Sequence, residues 1–233
     1  MYNYKKEFVK DIFNDISFKY DFLNDLFSLG LHRVWKRKLL SLLKPTPGQY
    51  WVDLCCGTGD LAINLANHVG PDGRIYGIDY AEKTLEIARK KCLNHPDLQI
   101  KWINNDILND CDNFYTFDGV TMAYGLRNLS DPLMGFKIIR QYLKPGGKAG
   151  ILDFQPSKDN SFSGYFQKIY LRNIVVPIAS MFGFREQYGY IENSIKRFPN
   201  GYNQIILAEK AGFSSAKYYP IALDQMGILI LKN

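Results

Sequence analysis

The residues best suited to chemistry in this sequence are Asp53, Gly57 and Gly59, within the stretch Tyr50–Ala62. Two glycines one residue apart allow a tight turn, and their missing side chains let a ligand lie against the backbone. A helix predicted directly after this turn would present free backbone N–H groups, which attract anionic or zwitterionic ligands. The stretch therefore predicts a site for a small anionic or zwitterionic molecule, and Asp53 adds a carboxylate four residues before Gly57.

Two classes of ligand fit the turn Gly57-Thr58-Gly59. With the three residues that follow, the turn satisfies the G-x-G-x-x-G/A pattern of dinucleotide sites. Asp79 lies 20 residues after Gly59, where a ribose-binding acid is expected. Asp53 argues against a dinucleotide such as NAD, because its carboxylate would repel the pyrophosphate of that ligand. S-adenosylmethionine carries an ammonium group and no phosphate, so Asp53 favours this methyl donor, and a turn without any ligand is the third interpretation.

The elements around the turn predict an α/β fold with a doubly wound sheet, because short apolar runs alternate with helical patterns. Five parallel strands are expected at Tyr50–Leu54, Arg74–Asp79, Ile100–Asn104, Phe117–Tyr124 and Lys148–Asp153. The helix before the fifth strand is expected to contain Leu133, Phe136, Ile139 and Leu143 and to end at Lys144. A helix at 202–211 and strands at Ala216–Ala222 and Gly227–Leu231 complete seven strands.

The carboxyl ends of the strands are the ligand-binding edge of such a sheet. Asp79 ends the second strand, where its carboxylate is expected to accept hydrogen bonds from ribose hydroxyls. Its alternative role is to cap the helix that begins near Ala81. Asp106 and Ile107 follow the third strand and are expected to bond and pack against an adenine ring, unless Asp106 only caps a turn.

Length and composition predict a single domain with a large core, since 46% of the 233 residues are apolar. Without a signal-peptide segment or an apolar run near ~18 residues, a cytoplasmic, soluble chain is expected. The four cysteines lack C-x-x-C spacing, so reduced thiols and no metal site are predicted. The net charge of +6 favours contact with an anionic surface, while no nucleic-acid-binding pattern is present.

Two segments are expected to flank the donor-binding core at 48–153. Residues 1–43 predict helices, because apolar residues recur there at helical spacing. Residues 155–199 carry more apolar surface than a loop needs and are interpreted as a helical lid over an apolar pocket. A helical subdomain or a homodimer contact is the alternative, and the oligomeric state stays open. Pro177 argues against one continuous membrane-spanning helix in this segment. Residues 200–233 are expected to form the C-terminal helix and strands of the same domain.

Four motifs, in order along the chain, resemble those of the ubiquinone/menaquinone biosynthesis C-methyltransferase family. The first spans the 16 residues Tyr20–Trp35, and the others are Asp53–Asp60, Gly125–Asn128 and Lys144–Gly147. The resemblance covers nearly the whole chain. The segments Ser194–Pro199 and Met226–Leu229 resemble the branch that methylates demethylphylloquinone; demethylmenaquinol or a polyprenyl benzoquinol is the alternative substrate.

The resemblance implies a class I S-adenosylmethionine-dependent methyltransferase fold, with a Rossmann-like seven-stranded sheet. It implies methylation of a ring carbon of a prenylated quinol. Because the tail of such a product is membrane-soluble and the net charge is +6, the chain is expected to contact an anionic membrane peripherally. The family commonly has a small hydroxyl residue where this sequence has Ala123. The residues expected to bind the cofactor are Asp53, Gly57, Thr58, Gly59, Asp79, Asp106, Ile107, Ala123 and Tyr124.

Chemistry on a quinone ring carbon requires the reduced quinol, because loss of a hydroxyl proton makes that carbon nucleophilic. Arg127 is expected to stabilise the developing oxyanion, with Asn128 beside it, since arginine almost never acts as a base near neutral pH. A surface salt bridge is the alternative role of Arg127. The resemblance brings Tyr20 and His32 near the same pocket, and His32 is a candidate base. Asp153, where the family commonly has Glu, is expected to orient one of these partners.

Two functions of other classes stay open on the residues alone. An oxidoreductase using NAD would employ the same glycine turn. A catalytically silent protein that binds lipid quinones would keep the fold without the chemistry, although the intact segments Gly57–Gly59 and Arg127–Asn128 argue against it.

Overall fold

The computed structural model describes residues 28–108, 116–156, 176–181 and 185–233, together with Lys10, Asp11, Ile12, Asn14, Phe22, Asp25 and Asn173. Within these residues the chain forms seven strands, which are β1 Tyr50–Leu54, β2 Arg74–Asp79, β3 Ile100–Asn104, β4 Phe117–Ala123, β5 Leu143–Phe154, β6 Ser215–Ile221 and β7 Met226–Lys232. The described helices are α1 Leu31–Leu43, α2 Asp60–Val69, α3 Glu82–Cys92, α4 Pro132–Gln141, α5 Val176–Met181, α6 Arg185–Arg197 and α7 Gly201–Lys210.

The strands form one sheet in the order β3-β2-β1-β4-β5-β7-β6. Neighbours from β3 to β5 pair in parallel, whereas β7 is antiparallel to both β5 and β6. The chain reverses its direction of travel across the sheet between β1 and β4, which is the switch point where ligands bind in doubly wound folds. The expected seven-stranded α/β sheet is therefore confirmed.

The fifth strand is longer than expected, and its start corrects one prediction. Leu143 was assigned to the preceding helix, but α4 ends at Gln141 and Leu143 pairs with Phe117 in the sheet. The motif Lys144–Gly147 lies within β5, where the register with β4 shifts. The Asn233 side-chain amide donates to the carbonyl oxygens of Leu143 and Lys144 and so stabilises this irregular start.

Helices cover both faces of the sheet and bury two apolar cores. On one face, α1 and α2 pack through apolar side chains at helical spacing, including Leu39, Leu43 and Leu65. On the other face, α4 and α7 contribute Phe136 and Ala208. Because these helices are fixed by burial, the loops at the carboxyl ends of β1 to β5 project from a rigid base.

The described part of the segment 155–199 contains α5 and α6, and α6 buries Tyr190 and Ile195. The action of this segment as a lid stays a prediction, as do the domain boundaries. Tyr20 and most of residues 1–27 and 157–184 lie outside the described residues. In the ranges given above, no helix combines the length and the apolar character needed to cross a membrane.

Candidate active site

A strained turn connects β1 to α2 at the switch point of the sheet. Cys55, Gly57 and Gly59 all have positive φ, of 55°, 54° and 82°. A Cβ on Gly59 would lie 2.5 Å from Cη2 of Trp102 and 2.9 Å from Cβ of Ala88, so packing excludes a side chain there. A Cβ on Gly57 would meet nothing within 4 Å. The backbone at Gly57 is therefore open to a ligand, as the sequence predicts.

Asp79 connects the end of β2 to this turn. Its Oδ2 accepts a hydrogen bond from the Gly57 N–H at 2.7 Å, and its Oδ1 accepts one from the Ala81 N–H at 2.8 Å. Burial raises the pKa of Asp79, while these two amides oppose the rise. Asp79 therefore bonds the backbone on both sides, but it is not the cap of α3, whose N-cap residue is Ala81 with no side-chain cap. Each carboxylate oxygen has a second lone pair, so the predicted ribose contact stays compatible with these bonds.

Asp53 is a buried acid at the end of β1. It is 1% exposed, and its Oδ1 accepts a hydrogen bond from Oγ1 of Thr121 on β4 at 2.7 Å. Its Oδ2 has no partner within hydrogen-bond geometry, although the nearby Ala62 amide stabilises the carboxylate. Burial raises the pKa of Asp53 to about 7, against the effects of Thr121 and the positive charge of Lys36. A buried carboxylate oxygen without a partner suits a cationic ligand group.

Arg127 follows β4 and is bonded to the end of β5. Its Nη1 donates to Oδ1 of Asp153 at 2.6 Å and to the Tyr124 carbonyl at 2.8 Å, while its backbone N–H donates to Oδ2 of Asp153 at 3.1 Å. The side chains of Arg127 and Asp153 are only 6% and 2% exposed. The alternative of a surface salt bridge is therefore wrong, because the pair is buried. Asp153 bonds the guanidinium of Arg127, and its orienting role in the reaction stays a prediction.

Aromatic rings and an amide complete the surroundings of this guanidinium. The central carbon of the guanidinium, Cζ of Arg127, lies 5.1 Å from the ring centroid of Phe154 and 6.0 Å from that of Tyr124. Tyr124 has a φ of 62°, which is rare for a residue with a side chain. The Asn128 amide donates to the Tyr124 carbonyl at 3.0 Å and accepts from the Tyr190 hydroxyl at 3.3 Å. Asn128 thereby connects the loop after β4 to helix α6.

His32 lies on the buried face of α1. It is 3% exposed, and its Nε2 is 2.7 Å from Oδ1 of Asp25, while its Nδ1 is buried without a hydrogen-bond partner. Burial lowers the pKa of His32, against the effect of Asp25. The neutral ring is the form that a base requires, but the contacts found also fit a packing role. Tyr20, its predicted companion, lies outside the described residues.

The remaining predicted cofactor residues lie at the ends of β3 and β4. Oδ1 of Asp106 accepts a hydrogen bond from the Leu108 N–H at 3.0 Å, so the turn-capping alternative is observed. Ile107 is 4% exposed and packs in the core on the α4 and α7 side of the sheet, and Ala123 is partly buried. Thr58 is 3% exposed within the glycine turn. The adenine contacts of Asp106 and Ile107 stay predictions.

Sequence reasoning missed three residues that bond the acids of this site, namely Thr121, Lys36 and Lys91. Thr121 bonds Asp53, and its place on β4 beside β1 could have been found from the strand order. Lys36 on α1 donates from Nζ to Oδ2 of Asp60 at 3.3 Å, and Lys91 on α3 donates to the other oxygen at 2.6 Å. No local pattern predicts these pairs, because the partners are 24 and 31 positions apart in the chain.

Comparison with known proteins relates the chain to one enzyme family. The sequence model of the ubiE/COQ5 methyltransferase family matches residues 1–230. A 2-phytyl-1,4-naphthoquinone methyltransferase of Trichormus variabilis is 42% identical over 226 residues, which are 97% of this chain and 98% of that protein. The chloroplastic 2-phytyl-1,4-beta-naphthoquinone methyltransferase of Arabidopsis thaliana is 40% identical, over 94% of this chain and 85% of that protein.

Solved structures agree on the architecture. A SAM-dependent methyltransferase from Aquifex aeolicus superposes with a TM-score of 0.61 at 16% identity, covering 84% of this chain and 88% of its own. The N-methyltransferase NodS from Bradyrhizobium japonicum, solved with S-adenosyl-L-homocysteine, gives a TM-score of 0.58 at 16% identity and covers 88% of each chain. At such identities these structures establish the fold alone.

Proposed function

The chain belongs to the ubiE/COQ5 methyltransferase family, and we propose that it methylates a ring carbon of 2-phytyl-1,4-naphthoquinol with S-adenosylmethionine as the methyl donor. This choice of substrate rests on relatives from cyanobacteria and a plant, which are about 40% identical over nearly the full chain and are named as methyltransferases of 2-phytyl-1,4-naphthoquinone. The product of this reaction is phylloquinol. The family decides between the two ligand classes that the glycine turn left open, in favour of S-adenosylmethionine.

The residues at the switch point fit this cofactor. The partnerless Oδ2 of Asp53 suits its ammonium group, and the open backbone at Gly57 provides the place for close approach. Asp79 orients the turn through the Gly57 N–H and is the proposed partner of the ribose hydroxyls. When bound, S-adenosylmethionine supplies a methyl group on a sulfonium centre. The chain supplies alignment, which is the main requirement of an in-line transfer.

Arg127 is the proposed stabiliser of the quinolate oxygen. Its guanidinium is held by Asp153 and by the Tyr124 carbonyl, so its positive charge has a fixed direction before the substrate arrives. Charges fixed in a buried site stabilise developing oxyanions most effectively. Asn128 is proposed to help position the ring, because its amide connects the loop after β4 to Tyr190 of α6.

His32 and Tyr20 are the proposed groups for handling the quinol proton. Burial lowers the pKa of His32 and favours the neutral ring, which is the form that accepts a proton, while the Asp25 carboxylate favours the protonated ring. Arg127 remains the first candidate for the chemistry, since the observed contacts of His32 with Asp25 and Ser28 also explain its burial. The segment 155–199 is proposed as the cover of the phytyl tail.

Analysis of quinones by mass spectrometry tests the substrate directly. Extracts of a strain that lacks this gene are expected to contain 2-phytyl-1,4-naphthoquinone without its ring methyl group, and to lack phylloquinone. Reintroduction of the gene restores the methylated species. If the extracts instead contain a demethylated menaquinone or benzoquinone, that compound is the substrate and the proposed one is wrong. An unchanged quinone profile would reject the proposed function.

Peripheral contact with an anionic membrane is part of the proposal, because the substrate tail is lipid-soluble. The outer face of α1 exposes Leu31 and Val34, each 47%, beside the exposed cations Arg37 and Lys38. In the turn before α1, Leu29 is 85% exposed. Apolar side chains flanked by basic ones are typical of surfaces that bind anionic bilayers.

Flotation with liposomes measures this contact. The double variant Leu29→Ser and Val34→Ser is expected to reduce the fraction bound to liposomes rich in phosphatidylserine several-fold. Met134→Ser is the matched control, since Met134 is 45% exposed on α4, which packs on the opposite face of the sheet from α1. Equal binding of both variants, or equal binding to liposomes without anionic lipid, would contradict the proposed surface.

A further inference from the structure

The turn between β6 and β7 contains a residue that suits its backbone poorly. Ala222, Leu223 and Asp224 have positive φ, of 52°, 53° and 64°, and the Gln225 N–H donates to the Ala222 carbonyl at 3.1 Å. Leu223 and Asp224 therefore occupy the two central positions of a type I′ turn, which favours glycine, asparagine and aspartate. Leucine is unfavourable there, because its Cβ crowds the backbone at positive φ.

The Leu223 side chain does not pack in the fold either, since it is 80% exposed. A leucine that neither suits the backbone nor fills the core lowers the stability of the free protein. Such local conflicts cluster at functional sites, where the side chain is needed for a contact outside the fold. The position of Leu223 therefore indicates a contact with an apolar partner.

Gln155 fixes this turn to the end of β5. Its backbone N–H donates to the Gln225 carbonyl at 2.9 Å, and its side-chain Nε2 donates to Oδ1 of Asp224 at 2.7 Å. The same side chain accepts through Oε1 from the Gly201 N–H at 2.9 Å and from the Tyr218 hydroxyl. Gln155 is 8% exposed, so these bonds are shielded from water and hold the strained turn in one place.

The turn lies beside the pocket proposed for the quinol ring. Phe154 of β5 pairs with Met226, the first residue after the turn, and its ring centroid lies 5.1 Å from the guanidinium carbon of Arg127. Ala222, the first residue of the turn, packs against the same apolar core as Phe154. Leu223 is therefore an exposed apolar side chain at the carboxyl edge of the sheet, next to the end of β5.

We propose that Leu223 is a specificity-determining residue that contacts the hydrocarbon tail of the quinol where the tail leaves the ring site. This inference rests on the proposed function, because the tail belongs to the proposed substrate. The phytyl tail is uncharged and apolar, so its contact with Leu223 removes apolar surface of both groups from water. The carboxylate of Asp224, next in the chain, disfavours an anionic bilayer as the partner of this turn.

The preference of the enzyme for a long tail tests this contact. That preference is the ratio of kcat/KM for 2-phytyl-1,4-naphthoquinol to kcat/KM for the short-tailed 2-prenyl analogue, measured in the same detergent. Leu223→Asn is expected to lower this ratio about 5-fold, because the lost apolar contact is made by the long tail and not by the short one. Asparagine tolerates positive φ, so thermal unfolding is expected to show a variant at least as stable as the wild type.

Leu93→Asn is the matched control for the loss of an exposed leucine. Leu93 is 79% exposed and follows α3, which returns the chain to the start of the parallel strand β3, so it lies at the opposite edge of the sheet. Leu223→Met retains an apolar side chain of similar volume. Both of these variants are expected to keep the wild-type ratio.

A fall of the ratio confined to Leu223→Asn supports the contact. An unchanged ratio in Leu223→Asn, or an equal fall in Leu223→Met or Leu93→Asn, would overturn the role of Leu223. Failure of the wild-type enzyme to methylate either quinol would instead reject the proposed function itself.

Discussion

Gly57→Ala is expected to weaken binding of S-adenosylmethionine by about 100-fold or more while the protein still folds. In the structure, a Cβ at this position meets nothing within 4 Å, so the substitution causes no clash in the free protein. Its φ of 54° costs an alanine about 1 kcal/mol of stability. The loss of affinity arises because the methyl group occupies the backbone surface where the donor lies. Calorimetry measures the affinity, and thermal unfolding measures the stability.

Gly48→Ala is the matched control for this experiment. Gly48 also has a positive φ, of 80°, and open space around its Cα, but it precedes β1 at the opposite end of that strand. Both variants are expected to lose a similar free energy of unfolding, and only Gly57→Ala loses the donor. Equal donor affinities in the two variants would show that the donor does not contact the glycine turn.

Arg127→Ala is expected to reduce kcat by about 100-fold or more while the dissociation constant of S-adenosylmethionine changes by less than about 3-fold. The physical reason is the loss of a fixed positive charge beside the quinolate oxygen. The variant also leaves the carboxylate of Asp153 buried without its cation, which costs about 3 kcal/mol of stability. Turnover is therefore compared below the unfolding temperature of the variant.

The control for Arg127→Ala is Arg89→Ala. Arg89 pairs with Glu82 at the surface, where the two side chains are 42% and 45% exposed, so its loss is expected to leave stability and turnover nearly unchanged. A second comparison separates chemistry from packing. Arg127→Lys retains the charge without the planar fork, and intermediate turnover is expected from it. Wild-type turnover in folded Arg127→Ala would remove Arg127 from the chemistry.

The fold could be predicted from sequence because local signals agreed with each other. The bounds expected for β1, β2 and β3 match those observed, since each apolar run ends at a polar residue or turn. The start of β5 could not be predicted. Pairing of Leu143 with Phe117 and the bonds from Asn233 to this segment depend on parts of the chain 26 and 90 positions away.

Parts of the site were predictable for the same reason, and others were not. Asp53, Gly57 and Asp79 lie at strand ends or in a turn, where residue type alone indicates ligand binding. The engagement of Asp79 with two backbone amides and the burial of the Arg127–Asp153 pair emerge only from the packing of neighbouring strands. The contacts of Lys36 and Thr121 likewise cross between elements, so no spacing rule contains them.

Isothermal titration of the purified protein with S-adenosylmethionine and with S-adenosylhomocysteine tests the central claim most directly. We expect one molecule of either ligand to bind per chain, in competition with the other, and Gly57→Ala to abolish the heat of both. NADH is expected to produce no heat. Absence of heat from both adenosyl ligands, or tight binding of NADH in their place, would contradict the assignment of the turn between β1 and α2 to the methyl donor.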